Sequence, residues 1–223
     1  MPFIFSKKWN SCIKGILLFC LVFATSCSYV PTLHNTPMLT RAGEIQASFM
    51  FENLVMYDIQ AAAGISNNIG LMVNTRHSYF MFEDIKNSIL SAEAGLGFYS
   101  PNGFEIYGGG GMGWYKPMDE SVDGSGKLKS FFVQPAYGIL HSSKSWFRSD
   151  SQSIFVLRLT GVNDFEKTRM FIEPGIVLKS GVKWVNLVTN FGCSVYLGNR
   201  KELKWNHNPL FFGFGVQISI GRK

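Results

Sequence analysis

From residue 43 to residue 220 the chain alternates with period two over long stretches, and little else can be built from such a pattern than a sheet with two unlike faces. No window carries an apolar 3.6-residue period long enough for a core helix. The alternation predicts about ten strands, at roughly 43–52, 55–65, 69–80, 88–99, 104–115, 130–140, 152–162, 169–179, 183–197 and 210–220. It is sharpest near the end. Val185, Leu187, Thr189, Phe191, Cys193, Val195 and Leu197 share one face, and Asn186, Val188, Asn190, Gly192, Ser194 and Tyr196 the other. In the last strand Leu210, Phe212, Phe214, Val216, Ile218 and Ile220 oppose Phe211, Gly213, Gly215, Gln217 and Ser219.

The fold class expected is therefore all-β, a single antiparallel up-and-down barrel of about ten strands. A soluble barrel of lipocalin type would turn its apolar face inward around a ligand. A transmembrane barrel would turn that face to lipid and keep polar groups inside. The second face decides between them. A water-facing exterior is normally rich in charged residues, whereas here it is mostly Gly, Ser, Ala and Asn, which suits a narrow interior. Strands of ten residues or more also suit a tilted path across a bilayer.

Connection lengths point the same way. Residues 66–68, 100–103 and 180–181 read as tight turns after even-numbered strands, whereas 81–87, 116–129, 163–168 and 198–209 follow odd-numbered ones and are longer. Short turns at one rim and long loops at the other are the grammar of membrane barrels. The short link near Asn53 and the long one at 141–151 depart from it. Aromatic residues make up 15% of the chain, and Tyr57, Tyr79, Phe80, Tyr99, Phe104, Trp114, Tyr115, Phe131 and Trp184 fall near strand ends, where interfacial girdles form. Good strand propensity accounts for part of this placement.

Ahead of the barrel stand Lys7, Lys8 and Lys14, an apolar run from Ile16 to Phe23, and the small residues Ala24, Thr25 and Ser26. These are the parts of a secretory signal, and the apolar run is about half the length a spanning helix needs. Cys27 follows directly. The arrangement resembles the lipobox of bacterial lipoproteins, whose cysteine becomes the acylated, palmitate-bearing first residue. Ala24 stands where that family usually has Leu. An ordinary signal peptide cut nearby accounts for the same leader with Cys27 incidental. The division expected is a signal peptide at 1–26, a lipid-anchored extended tether at 27–42 with two prolines and no period, and a barrel domain at 43–223.

Loss of the leader leaves 197 of the 223 residues and brings the formal charge from +6 to about +3. That is too mild a balance, without a Lys/Arg-dense stripe, for a nucleic-acid partner. With Cys12 and Cys20 in the leader and Cys27 acylated, Cys193 has no partner for a disulfide. Gly108, Gly110 and Gly113 satisfy a GxGxxG pattern, but alternation continues on both sides and no helix follows, so no nucleotide site is expected. Glycines in a small barrel make room for bulky neighbours.

The inward face carries Glu44, Asp58, Arg76, Glu93, Glu105, Arg158 and Glu173, read as a lumen polar network of paired charges. Acid–base work by a carboxylate pair is the sharper alternative, and no spacing selects a pair. His34, His77, His141 and His207 lie far apart, in no metal-ligand spacing, and are assigned to loops. No GxSxG elbow occurs. In the last long loop Arg200, Lys201 and Lys204 would find phosphates at an anionic lipid surface; a solvated loop is the plainer reading. A cation site at Asn206-His207-Asn208 in the same loop is a weaker alternative.

As a whole, residues 43–220 resemble small bacterial outer-membrane β-barrel proteins, although the terminal aromatic usual there is replaced by Ile220 in Ile218-Ser219-Ile220-Gly221-Arg222-Lys223. The resemblance implies a Gram-negative outer membrane, outer-membrane lipid and the barrel-assembly and lipoprotein-sorting machineries as partners, and no cofactor. The function expected is non-enzymatic: an outer-membrane barrel lipoprotein with a structural or surface-interaction role. A narrow channel or small-molecule carrier through the lumen is the first alternative. A periplasmic, lipid-anchored soluble barrel holding an apolar ligand among Leu187, Phe191, Phe212 and Phe214 is the second.

Overall fold

Eleven strand segments follow one another in an up-and-down meander: β1 (Ile45–Glu52), β2 (Met56–Gly64), β3 (Ile69–Tyr79), β4 (Ser88–Tyr99), β5 (Phe104–Tyr115), β6 (Gly126–Ser142), β7 (Asp150–Asn163), β8 (Thr168–Val182), β9 (Val185–Cys193), β10 (Val195–Tyr196) and β11 (Leu210–Ile220). The structure, a computed structural model, describes residues 31–52, 56–79, 88–115, 126–142, 150–163, 167–182, 184–199 and 209–221. From β1 to β9 each strand pairs antiparallel with the next, and β1 pairs with β11 as well as β2, from Ile45↔Ile220 to Glu52↔Gly213. The sheet closes on itself and has no free edge.

β9 and β10 are one strand with a gap. Gly192 pairs with Gly175 of β8 and Val195 with Ile172, so the register is the same on both sides of the gap. Pro174 lies opposite that gap and has no N–H to give to the ladder. Counted this way, the barrel has ten strands.

Alternation sorts the faces. On β1, Ile45, Ala47, Phe49 and Phe51 point out, while Gln46, Ser48, Met50 and Glu52 are buried. The exterior is apolar nearly all round, with Val73, Leu96, Leu157, Leu178, Val216 and Ile218 exposed at mid-strand. So large a continuous apolar surface needs lipid against it, and the exterior is that of a transmembrane barrel. No helix among the described residues is long and apolar enough to cross a membrane. Leu187, Phe191 and Phe214 are exposed on this outer face, with Leu187 at 67%. They line no cavity, so the reading as a soluble barrel around an apolar ligand is corrected.

Other local expectations shift too. Ser180 and Gly181 are no turn: they pair with Ser151 and Asp150 on one side and with Leu187 and Asn186 on the other, and β8 runs on to Val182 before β9 begins at Val185. Gly181 is small because the hairpin closes there; a Cβ would stand 2.2 Å from the Val185 carbonyl oxygen. β6 begins at Gly126, inside the stretch expected as a loop. Phe51, Tyr57 and Trp114 lie towards the long-loop rim, and Phe98, Phe104 and Trp184 towards the short-turn rim. Tyr99, placed with the girdle, is instead fully buried, its hydroxyl donating to the Ser66 carbonyl at 2.5 Å. The side chains of Tyr79, Phe80 and Tyr115 lie outside the described residues.

Candidate functional site: a lumen filled by the chain itself

A barrel of about eight strands is just filled by its own inward side chains, and the bore widens with strand number. Ten strands with many inward glycines leave room for something more. That space is taken by residues 31–39, every one of them buried. Part of the stretch expected as an extended tether between the anchor and the barrel, residues 31–39, thus runs inside the lumen.

It enters at the short-turn rim. Gly43 donates to the Gly64 carbonyl at 2.8 Å, Ala42 to the Asn67 side chain at 3.4 Å, and the Arg41 Nε to the Gly221 carbonyl at 2.5 Å. Next along the lumen, Glu44 accepts from the Thr40 backbone at 2.8 Å and from its hydroxyl at 2.7 Å. Glu105 accepts from the Met38 backbone at 2.9 Å. Met38 takes a left-handed φ of 51°, so the segment bends there, one residue after Pro37.

Midway, polar side chains from opposite walls hold the backbone. Lys179 reaches the Thr36 carbonyl at 2.5 Å, Gln134 the Asn35 carbonyl at 2.7 Å, Asn190 the His34 carbonyl at 3.0 Å and Gln60 the Leu33 carbonyl at 3.2 Å. The Asn35 amide donates to Asn74 at 2.7 Å, and the Leu33 N–H donates to Asp58 at 3.2 Å. An extended peptide out of water needs such partners for its peptide groups.

Glycines shape the bore to this occupant. A Cβ on Gly213 would stand 2.4 Å from Leu33 Cδ1, one on Gly175 2.5 Å from His34 Cδ2, and one on Gly70 2.8 Å from Leu39 Cδ1. His34 sits edge-on to Phe211 with ring centroids 5.1 Å apart. Neither of its ring nitrogens has a hydrogen-bond partner among the described residues, so packing holds the ring.

Two arginines close the long-loop half. Arg76 pairs with Glu52 at 2.7 Å and Asp58 at 3.0 Å, and it also donates to the Pro31 carbonyl. Arg158 pairs with Glu93 at 2.8 Å and Glu173 at 3.6 Å, donates to Thr32 Oγ1 at 2.8 Å and lies 4.2 Å over the Phe132 ring. Thr160 and Ser194 donate to Glu173 at 2.9 and 3.2 Å. Each guanidinium thus spans two carboxylates and one group of the threaded segment, which suits its planar fork of donors.

All seven residues assigned to the lumen, Glu44, Asp58, Arg76, Glu93, Glu105, Arg158 and Glu173, are buried inside the barrel. They form three groups: Arg76 with Asp58, Arg158 with Glu93 and Glu173, and Glu44 and Glu105 on the threaded segment near the short-turn rim. Glu52 and Lys179 belong with them and were missed. Parity could have found both, since each lies an even number of residues from an inward charge, Glu44 just before β1 and Glu173 on β8 respectively.

The glycines at 108, 110 and 113 lie inside β5 and lead into no helix. Phe132 packs against this region, with its ring 3.0 Å from where a Cβ on Gly95 would be. Of the three described histidines, His77 on β3, tilted against Tyr57 at 5.2 Å, and His141 on β6 are not in loops, while His34 lies in an irregular segment that is buried in the lumen. Cys27, Arg200, Lys201, Lys204 and the Asn206-His207-Asn208 triplet lie outside the described residues, as does the predicted signal peptide. Among the described residues no group of His, Cys, Asp or Glu is arranged to hold a metal ion.

No protein-family model matches this chain, and no curated protein matches it. Among solved structures it is similar to the N-terminal β-barrel domain of Pseudomonas aeruginosa OprF, at 12% identity, over 79% of this chain and 96% of that domain, with a TM-score of 0.32. The fold described above rests on this chain's own strand ladder.

Proposed function

We propose that this chain is an outer-membrane barrel lipoprotein with a non-enzymatic, structural or surface-interaction role, anchored through Cys27. The observation that carries the reading is the occupied lumen. The bore is filled by the protein's own segment, so what the barrel offers to other molecules is its rim and its loops. Arg76, Arg158, Lys179 and the carboxylates around them are tied to one another or to that segment.

Orientation follows from the rims. The rim at which β2, β4 and β8 end would face the periplasm, and the rim at which β3, β5 and β10 end, each followed by a longer stretch of sequence before the next strand, the exterior. The narrow-channel alternative needs a path past the layer of Glu93 and Arg158, and Thr32 bridges that layer with hydrogen bonds of 3.1 and 2.8 Å. The test is planar-bilayer recording on the protein extracted from membranes, beside a variant lacking residues 31–40 whose folding is checked by its heat-dependent mobility in SDS. Steady conductance by the intact protein would overturn the reading. Silence from the intact protein with current through the deletion variant supports it.

A further inference from the structure

The described part of the N-terminal segment does more than fill space: it changes rims. Residue 42 is at the short-turn rim beside Asn67, and the C-terminal end is there too, with Arg41 on the Gly221 carbonyl. Residue 31 is near the other rim, on Arg76, which is also paired with Glu52 at the last position of β1. We propose that the mature N-terminus is carried through the barrel's own lumen to the long-loop face, so that the acyl chains on Cys27 enter the leaflet at that face, opposite the strand termini. The inference rests on the lipoprotein reading above for the acylation, and on the threaded segment for the side.

Chain length decides the side. Pro31 follows Cys27 by four positions, a reach of about 13–14 Å when extended. Above Arg76, β3 continues for three residues to Tyr79, a climb of about 8 Å at the usual strand rise and tilt. Cys27 can therefore clear the long-loop rim. Returning to the short-turn rim means descending seven residues of β3, about 18 Å, through a bore that residues 32–39 already fill. Four steps of chain do not reach.

The arrangement also orders assembly. An acylated end cannot be pulled through a lumen packed against Leu33, His34 and Leu39. The strands must close around the segment, with the β1–β11 seam sealing after it is in place.

The experiment is thiol labelling on intact cells in a Cys193→Ser background, with Ser28→Cys and Tyr29→Cys as separate reporters of the N-terminus. Asn102→Cys, exposed in the β4–β5 turn, reports the other rim. Each variant is first shown to keep the wild-type heat shift in SDS, and the N-terminal peptide is examined by mass spectrometry for acyl groups on Cys27. The expected result is labelling of position 28 or 29 by a membrane-impermeant maleimide on intact cells, and of position 102 only after permeabilisation. Labelling of 28, 29 and 102 alike only after permeabilisation would overturn the inference while leaving the barrel and its orientation standing. Position 102 labelled on intact cells, or an unacylated Cys27, would instead overturn the reading on which it rests.

Discussion

Replacing Arg158 by Met removes the charge at the centre of the lumen while keeping an unbranched side chain over Phe132. The guanidinium is fully buried, pairs with Glu93 at 2.8 Å and Glu173 at 3.6 Å, and donates to Thr32 at 2.8 Å. Breaking a buried ion pair from one side costs roughly 3–5 kcal/mol, because the partner charge is left without compensation. Here the stranded carboxylates keep hydroxyl donors: Thr32 on Glu93 at 3.1 Å, and Thr160 and Ser194 on Glu173 at 2.9 and 3.2 Å. That places the loss at the lower end, about 3 kcal/mol. The assay is equilibrium urea unfolding of the protein inserted in lipid vesicles, read by tryptophan fluorescence. Adding Glu93→Gln and Glu173→Gln to Arg158→Met should recover most of the loss, since the unpaired charges go with them. A single variant within about 0.5 kcal/mol of wild type would refute the reasoning, because only solvated ion pairs are worth so little.

Three further perturbations test other parts of the structure. Leu157→Arg puts a charge on the lipid face near mid-strand and should lower stability in vesicles by about 2–4 kcal/mol; a barrel whose exterior met water would be indifferent to it. Gly213→Val drives a side chain against Leu33, whose Cδ1 lies 2.4 Å from where the new Cβ would stand. It should destabilise the segment by about 1–3 kcal/mol, seen as faster proteolysis within 31–40 while the barrel's heat shift persists. Asn35→Ala removes the amide that bonds Asn74 at 2.7 Å and the Ala61 carbonyl at 3.3 Å. It should cost about 1–3 kcal/mol in the same urea assay, and no change would place water where the side chain was.

The barrel was legible because a strand between lipid and lumen meets two unlike surroundings, and side chains that alternate between them leave a period in the sequence. Leu187 and Val188, or Phe211 and Phe212, need only their neighbours to be assigned a face. The lumenal segment leaves no such trace. Residues 31–39 are surrounded on all sides by the same wall, so no face differs from another and no period results. Pro31 and Pro37, which read as marks of a tether, are residues without an N–H that the lumen would otherwise have to satisfy. His34 reads as a loop residue for the same reason: lack of pattern resembles exposure. The clue lay in the wall. Gly70, Gly175 and Gly213 are inward positions where a strand gives up its side chain, and the sequence alone does not say for whom. The network was readable only as far as parity went, which is why its residues could be named while their grouping around Arg76 and Arg158 could not.

The central claim, that residues 31–39 occupy the lumen, is met most directly by a Leu33→Cys, Gly213→Cys pair in the Cys193→Ser background. Leu33 Cγ stands 3.2 Å from the Cβ position at Gly213, close to the ~3 Å between a disulfide's sulfur and the far Cβ. The expected result is a spontaneous intramolecular disulfide in the folded membrane form, with neither thiol open to maleimide until reductant is added. Two free thiols in a protein that still shows the heat shift of a closed barrel would contradict it, and would mean that the segment lies outside.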